Sequence, residues 1–178
     1  IMPDPAWKRA QRNQGWSTGD SYNTVIGQGA MLASPLQLAV MTARVASGRA
    51  VEPTLYRNAM APPAPHMGLR DESLVQVRDA LRAAAEEPGG TSFGLGGLGI
   101  DGIGMAGKTG TAQVYSITAA ERESGVRTQL DLPWRLRDHG LFVCYAPANN
   151  PKYAVAVVVE HGGGSSAATR PARDILRR

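Results

Sequence analysis

A single cysteine, Cys144, occurs in the 178 residues. One thiol makes no intrachain disulfide and no cysteine metal site. Its setting, Leu141-Phe142-Val143-Cys144-Tyr145-Ala146, is that of a buried, inert side chain. The three histidines, His66, His139 and His161, lack metal-ligand spacing, so no metal and no other cofactor is expected. Aromatic residues are 6% of the chain and show no stacking pattern, and no block of five or six like charges occurs. Nucleic-acid binding is therefore not expected. No apolar run approaches the ~20 residues of a membrane span. The start, Ile1-Met2-Pro3-Asp4-Pro5, is not a signal peptide and reads like the middle of a longer protein. No internal repeat is present.

Hydrophobic content of 43% excludes a chain disordered throughout, and the length suits one domain with a sizeable core. A formal charge of +4 and an isoelectric point near 9.6 give a mild basic bias. That bias is compatible with an acidic polymer or a carboxylate-ended substrate.

Residues 1–24 are polar and turn-rich, with Trp7 and Trp16 as anchors to a core. Ser34-Pro35-Leu36-Gln37 starts a helix: Ser34 can cap, Pro35 suits the first helical position and Gln37 completes a capping box. Leu36, Leu38, Ala39, Val40, Ala43, Val45 and Ala46 give it a broad apolar face, so a buried helix ending at Gly48 is expected. Residues 51–56 read as a short strand and 61–65 as a stiff proline loop. A second helix runs from Asp71 or Ser73 to about Glu87, with Leu74, Val77, Leu81 and Ala84 at helical spacing; Pro88-Gly89-Gly90 stops it. A glycine-rich irregular loop, 89–104, follows. Residues 116–138 form a charged, partly helical excursion between neighbouring strands. The clearest strands, 141–146 and 153–159, are joined by a polar turn and so form an antiparallel pair. Gly162-Gly163-Gly164 breaks the second of them before a closing helix, 167–176. Pro171 sits in the first turn of that helix or marks a later start. The fold class is α+β, an antiparallel sheet flanked by helices, with no linker dividing two domains.

The chemistry concentrates in Gly104-Met105-Ala106-Gly107-Lys108-Thr109-Gly110-Thr111-Ala112-Gln113-Val114-Tyr115. One ammonium and two hydroxyls lie within four residues, and Gly110 lets a ligand approach the backbone. Strand alternation puts Thr109 and Thr111 on one face; twist can still bring the lysine head and both hydroxyls to the rim of one cleft. Two readings compete. Residues 102–109 satisfy the phosphate-loop pattern G-x-x-x-x-G-K-[ST], which would make the chain a nucleotide hydrolase. That loop needs a helix starting at the lysine. Gly110 falls where the helix should begin, and Thr111, Val114 and Tyr115 favour extended chain. The other reading is the Lys-Thr-Gly strand of serine enzymes that react with penicillin.

Further motifs favour the second reading. Ile26-Gly27-Gln28-Gly29 followed by Ser34-Pro35-Leu36-Gln37-Leu38-Ala39 is similar to a signature of the class B penicillin-binding proteins. Gly90-Thr91 and Ala106-Gly107-Lys108-Thr109-Gly110-Thr111-Ala112-Gln113 resemble the same family in order and approximate spacing. Leu136-Arg137-Asp138-His139, Tyr145-Ala146-Pro147 and Val158-Val159-Glu160-His161-Gly162-Gly163 resemble its elongation-type members, penicillin-binding protein 2. The resemblance implies a five-stranded antiparallel sheet between helices, beside an all-helical subdomain. It implies a peptidoglycan D,D-transpeptidase: a serine attacks the D-Ala-D-Ala amide of a stem peptide, and an amine from a neighbouring stem takes the acyl group. β-Lactam antibiotics would mimic that end and leave a stable acyl-enzyme.

By the same resemblance, Lys108 supplies positive potential and proton traffic near the nucleophile, and the Thr109 and Thr111 hydroxyls hold the terminal carboxylate. The Thr111 N–H is half of the oxyanion hole. Gly110 lets the acyl chain lie along the strand, with Ala112 and Gln113 as weaker substrate-strand positions. The nucleophile motif Ser-x-x-Lys is absent from the sequence, and Ser21-Tyr22-Asn23 is not assigned as the Ser-x-Asn motif. The expectation is a C-terminal portion, 1–178, of one transpeptidase domain whose upstream part carries both. Alone, this portion is expected to be inactive. The implied partners are that upstream half, the stem peptides, β-lactams and a lipid-linked glycosyltransferase of the elongation complex. The implied location is the periplasm, tethered by an N-terminal inner-membrane helix outside this chain. Within the fold, a D,D-carboxypeptidase, a serine β-lactamase, a β-lactam sensor or a catalytically silent module stay open.

Overall fold

The computed structural model describes residues 1–56, 62–95, 97–115 and 117–178. Ala61, Gly96 and Ser116, which belong to three of the expected loops, lie outside the described residues. The chain divides into two compact units, Ile1–Ser34 and Pro35–Arg178.

In the first unit the expected turn-rich segment is instead two helices, α1 (Pro5–Arg12) and α2 (Thr18–Val25). Their polar residues are caps. The Asp4 carboxylate accepts from Trp7 N–H at 2.7 Å, with Pro5 pre-set for the first turn. Ser17 and Asp20 form a reciprocal capping box, and the Lys8 ammonium adds a 2.6 Å bond to the Asp20 carboxylate. The Lys8 bond first, then the Ser17 hydroxyl and the Ser17 amide, hold the Asp20 carboxyl down at a pKa of about 2. Trp7 and Trp16 are half-buried and line a cavity of about 270 Å³ with this pair. Ser21, on α2, accepts from the Trp16 indole N–H at 2.9 Å.

The second unit opens with α3 (Pro35–Ser47), which begins at Pro35 as expected and ends at Gly48, with φ 72°. It is not the buried helix its composition suggests. Thr42 and Ala46 are buried, whereas Leu36 is 60% exposed and Met41 exposed as well. Apolar residues occupy more of the helix surface than the sheet can cover. The short strand expected at 51–56 does not form: Pro53 lacks a donor, no neighbouring strand among the described residues offers a ladder, and Leu55 stands in solvent. The segment is held instead by Arg44 Nε donating to the Val51 carbonyl at 2.9 Å and Ala50 N–H donating to the Pro65 carbonyl at 2.8 Å.

Helix α4 (Asp71–Glu86) starts with Asp71 and Glu72 in its first turn, favourable for the helix dipole. It packs through Leu74 and Ala85, and Val77 is left exposed. After the glycine-rich loop come β1 (Ala106–Ala112), α5 (Ala119–Ser124), a 3-10 turn (Trp134–Leu136), β2 (His139–Ala146), β3 (Tyr153–Val159) and α6 (Ser166–Leu176). The excursion is partly helical, as its sequence implies. The strands form one antiparallel sheet in the order β1-β2-β3, with Ala106 opposite Tyr145, Ala112 opposite His139 and Gly140 opposite Val159.

Alternation divides β2 between two cores. Phe142, Cys144 and Ala146 pack against Ala168 and Ala172 of α6, with Met105 beside them. Tyr145 points the other way, among Ala46 of α3, Ala106 and Leu81 of α4. Full burial of Phe142 and Met105 contributes roughly 1.5–3 kcal/mol each. Pro171 is the sixth residue of α6, neither in the first turn nor at a later start. The buried face Ala168, Thr169 and Ala172 keeps the helix continuous despite the donor that proline removes. No helix among the described residues is long and apolar enough to cross a membrane.

Candidate active site

The Lys-Thr-Gly run lies on β1, which pairs with β2 on one side only and is an edge of the sheet among the described residues. Met105, just ahead of it, is fully buried, and its N–H donates to the Glu86 carboxylate at 2.7 Å. The last residue of α4 thus fixes where the strand begins. Gly107 has no room for a side chain: a Cβ there would stand 2.6 Å from Phe142 Cζ and 2.8 Å from the Val143 carbonyl oxygen. That contact seats β1 tightly on β2.

At the end of α4 the chain folds back on itself. A Cβ on Gly90 would meet the Ala84 and Ala83 carbonyl oxygens at 2.5 and 2.6 Å, so only glycine fits. Ser92, fully buried, donates from both its N–H (3.0 Å) and its hydroxyl (2.9 Å) to the Ala84 carbonyl. These bonds place Thr91, whose Oγ1 accepts from Thr109 Oγ1 at 3.1 Å. The Lys108 ammonium donates to the Thr109 carbonyl at 2.9 Å and to Thr109 Oγ1 at 3.4 Å. A groove of about 580 Å³ opens beside it, lined by Leu81, Ala84, Gly90, Thr91 and Lys108 among others. Lys108, Thr109 and Thr91 therefore share one rim. Thr111 follows on the same strand, exposed, then half-buried Ala112 and exposed Gln113 just past the strand end.

The far end of the strand is tied twice. Val114 N–H donates to Asp138 Oδ1 at 2.9 Å, and Gln129 spans the Asp138 side chain (3.0 Å) and backbone N–H (2.8 Å). The Tyr115 hydroxyl donates to Glu121 Oε1 at 2.6 Å and accepts from Arg127 Nη2 at 2.7 Å. Arg127 closes the triad with a 2.8 Å ion pair to Glu121. The Tyr115 bond first, then the Thr118 amide and Arg127, hold the Glu121 carboxyl down at about 2.

The chain through Lys108 is a strand rather than the start of a helix, so the phosphate-loop alternative loses the geometry it requires. Cys144 is fully buried, and burial pushes its thiol up to about 12, consistent with an inert side chain. Sequence reasoning did not reach Glu86, and it met Thr91 and Asp138 only as parts of motifs. Glu86 is a helix-end residue without a local signature.

The penicillin binding protein transpeptidase domain family matches residues 4–177. The peptidoglycan D,D-transpeptidase MrdA of Acinetobacter baumannii is 35% identical over 189 residues, covering 98% of this chain and 27% of that protein. MrdA of Salmonella typhimurium is 30% identical over 190 residues, covering 96% and 28%. The chain thus spans under a third of the length of these relatives. Among solved structures, the complex between penicillin-binding protein PBP2 and MreC from Helicobacter pylori superposes with a TM-score of 0.80 at 30% identity, over 97% of this chain and 30% of that one. A family match of this extent, on a fold whose Lys-Thr-Gly run lies on an edge strand, leaves one assignment: the chain belongs to the penicillin-binding protein transpeptidase domain family.

Proposed function

We propose that this chain is the Lys-Thr-Gly-bearing, C-terminal portion of a peptidoglycan D,D-transpeptidase that cross-links cell-wall stem peptides by serine acyl transfer. The observation that carries the proposal is the extended Lys108–Thr111 segment on an edge strand, within a family match from residue 4 to residue 177. A serine supplied from outside this sequence attacks the penultimate D-Ala carbonyl. The C–N bond breaks, the terminal D-Ala leaves with a proton, and an amine of a second stem displaces the serine and restores its proton.

In this reading Lys108 contributes positive potential beside the nucleophile, and the Thr109 and Thr111 hydroxyls hold the terminal carboxylate. The Thr111 N–H donates to the oxyanion, a contribution worth roughly 3 kcal/mol in acyl-transfer enzymes. Backbone alternation supports that last role. Val114 N–H faces the β2 side, so an extended chain three residues back directs its N–H toward the open edge. An acyl peptide lying past Gly110 and Ala112 and pairing with the open-edge backbone groups of Thr111 and Gln113 would extend the sheet as an added strand.

The surrounding assignments go with this reading. The upstream half of the domain carries Ser-x-x-Lys and Ser-x-Asn, an N-terminal helix anchors the protein in the inner membrane with the domain in the periplasm, and a lipid-linked glycosyltransferase of the elongation complex supplies glycan. The relative found with MreC makes that protein class a further partner to test. The deciding experiment is labelling with fluorescent penicillin. The complete protein is expected to label at a serine outside residues 1–178 and to lose most labelling in Lys108→Ala. Labelling that survives Lys108→Ala, or ATP binding that depends on Lys108, overturns the proposal.

A further inference from the structure

We propose that Arg127 reads a carboxylate on the acyl-donor peptide upstream of its D-Ala-D-Ala end, making it a specificity residue of this site. This rests on the transpeptidase reading. If the terminal carboxylate sits at Thr109 and Thr111 and the reactive carbonyl at the Thr111 amide, the direction of the donor is fixed. Its upstream residues must run past Ala112 and Gln113 toward Tyr115, antiparallel to β1. Four residues at about 3.3 Å each put Tyr115 no more than about 13 Å beyond Thr111. With the reach of an arginine side chain, that position meets side groups about two to three residues before the scissile bond.

Past the end of β1 at Ala112 the chain stays tied to the sheet, Val114 N–H being bonded to Asp138 beyond the last β1–β2 pair, and it bends at Tyr115. At its end stands a cation held in place. Arg127 donates from Nε (3.3 Å) and Nη2 (2.8 Å) to Glu121 Oε1, and from Nη2 to the Tyr115 hydroxyl at 2.7 Å. Its guanidinium carbon lies 5.2 Å from the Tyr115 ring centroid. Glu121 is itself pinned, its other oxygen accepting from Thr118 N–H (3.0 Å) and Thr118 Oγ1 (2.9 Å). One edge of the guanidinium is thus spent on holding it. Nη1, with two N–H groups, makes no bond to another described residue, and the side chain is 48% exposed. A pre-positioned guanidinium loses little rotamer freedom when a carboxylate arrives, which is what a recognition group requires. An isolated flexible arginine would give less.

The test uses the complete transpeptidase that carries this chain and two donor peptides ending in D-Ala-D-Ala. They are identical except for a free carboxylate or a carboxamide about two to three residues before the reactive carbonyl. The readout is the ratio of kcat/KM values. Wild type is expected to favour the carboxylate donor by roughly 5- to 20-fold, less at high salt. Arg127→Gln is expected to bring the ratio close to one, and Arg127→Lys to retain part of it. Equal losses on both donors, or a ratio that Arg127→Gln leaves intact, overturn the assignment: Arg127 would then only brace the excursion. Stoichiometric labelling of each variant by fluorescent penicillin shows that the site is assembled. Absence of labelling in wild type would instead sink the transpeptidase reading, and this inference with it.

Discussion

Truncating Glu86 to alanine tests how the Lys-Thr-Gly strand is held. The Met105 amide has no exposure, and its partner is a carboxylate oxygen at 2.7 Å. Glu86→Ala strands that N–H in the interior, at a cost of about 1–3 kcal/mol. For a cooperative unit of about 150–250 residues each kcal/mol moves Tm by about 2–4 °C, so a drop of roughly 3–10 °C is expected by calorimetry. Glu86→Gln keeps an acceptor oxygen without the charge and should recover about half of the loss. The functional effect should exceed the thermal one. Lys108 lies three residues past the anchored amide, and a misplacement of about 1 Å in a reacting group can cost about 100-fold. Acylation of the complete protein by penicillin is therefore expected to slow by roughly 10- to 100-fold in Glu86→Ala, at a temperature where it stays folded. A melting point within 1 °C of wild type, with unchanged acylation, would refute the claim that this carboxylate sets the strand.

Gly107→Ala should destabilise by about 1–3 kcal/mol, since its Cβ would press on Phe142 and the Val143 carbonyl, whereas at Gly110 the nearest atom is Leu141 Cβ at 3.4 Å and the cost should be smaller. Equal melting points for the two variants contradict this packing. Tyr145→Phe removes a buried hydroxyl that has no partner among the described residues, and should raise stability by up to about 1 kcal/mol; a fall in Tm of more than about 2 °C would mean the hydroxyl is satisfied after all. Glu121, lowered to about 2 from an ordinary 4.5, stabilises its loop fully above the ordinary value and loses that contribution as pH falls through the lower one. Pepsin nicking within 117–131 should thus rise between about pH 4.5 and pH 2. In Tyr115→Phe the pH-dependent rise should be smaller and complete at higher pH, and coincident profiles would remove Tyr115 as the main cause. Cys144 should resist iodoacetamide at pH 8 in the native protein and react once unfolded; rapid native alkylation would contradict its burial.

Local patterns fixed what they could. Helix α4, with apolar spacing over sixteen residues, and the pair β2–β3, with its polar turn, were legible because each signal is complete within its own segment. Caps misled: Asp4, Ser17 and Asp20 look like turn residues until the helices they start are seen. Composition also overstated burial. The face of α3 is apolar over a wide arc, but periodicity cannot say which part of the arc finds a partner, and Leu36 and Met41 do not find one in this unit. Residues 51–56 carry β-propensity that only a neighbouring strand could use, and Pro171 is tolerated by packing that propensity does not count.

The site divides along the same line, between what a motif contains and what only tertiary structure assembles. Lys108, Thr109 and Thr111 lie within four residues of sequence, and so short a run suffices to single them out. The groups that aim them are distant: Glu86 reaches Met105 across 19 residues, Thr91 meets Thr109 across 18, and Asp138 ties Val114 across 24. None of these three contacts has a periodicity or a spacing rule behind it, because each depends on how α4, the glycine-rich loop and the excursion return to β1. Substituting the distant residues is therefore the sharper test. A loss at Lys108 is expected under any Lys-Thr-Gly chemistry, whereas a loss at Glu86 that exceeds its cost in stability is expected only if strand position limits the reaction.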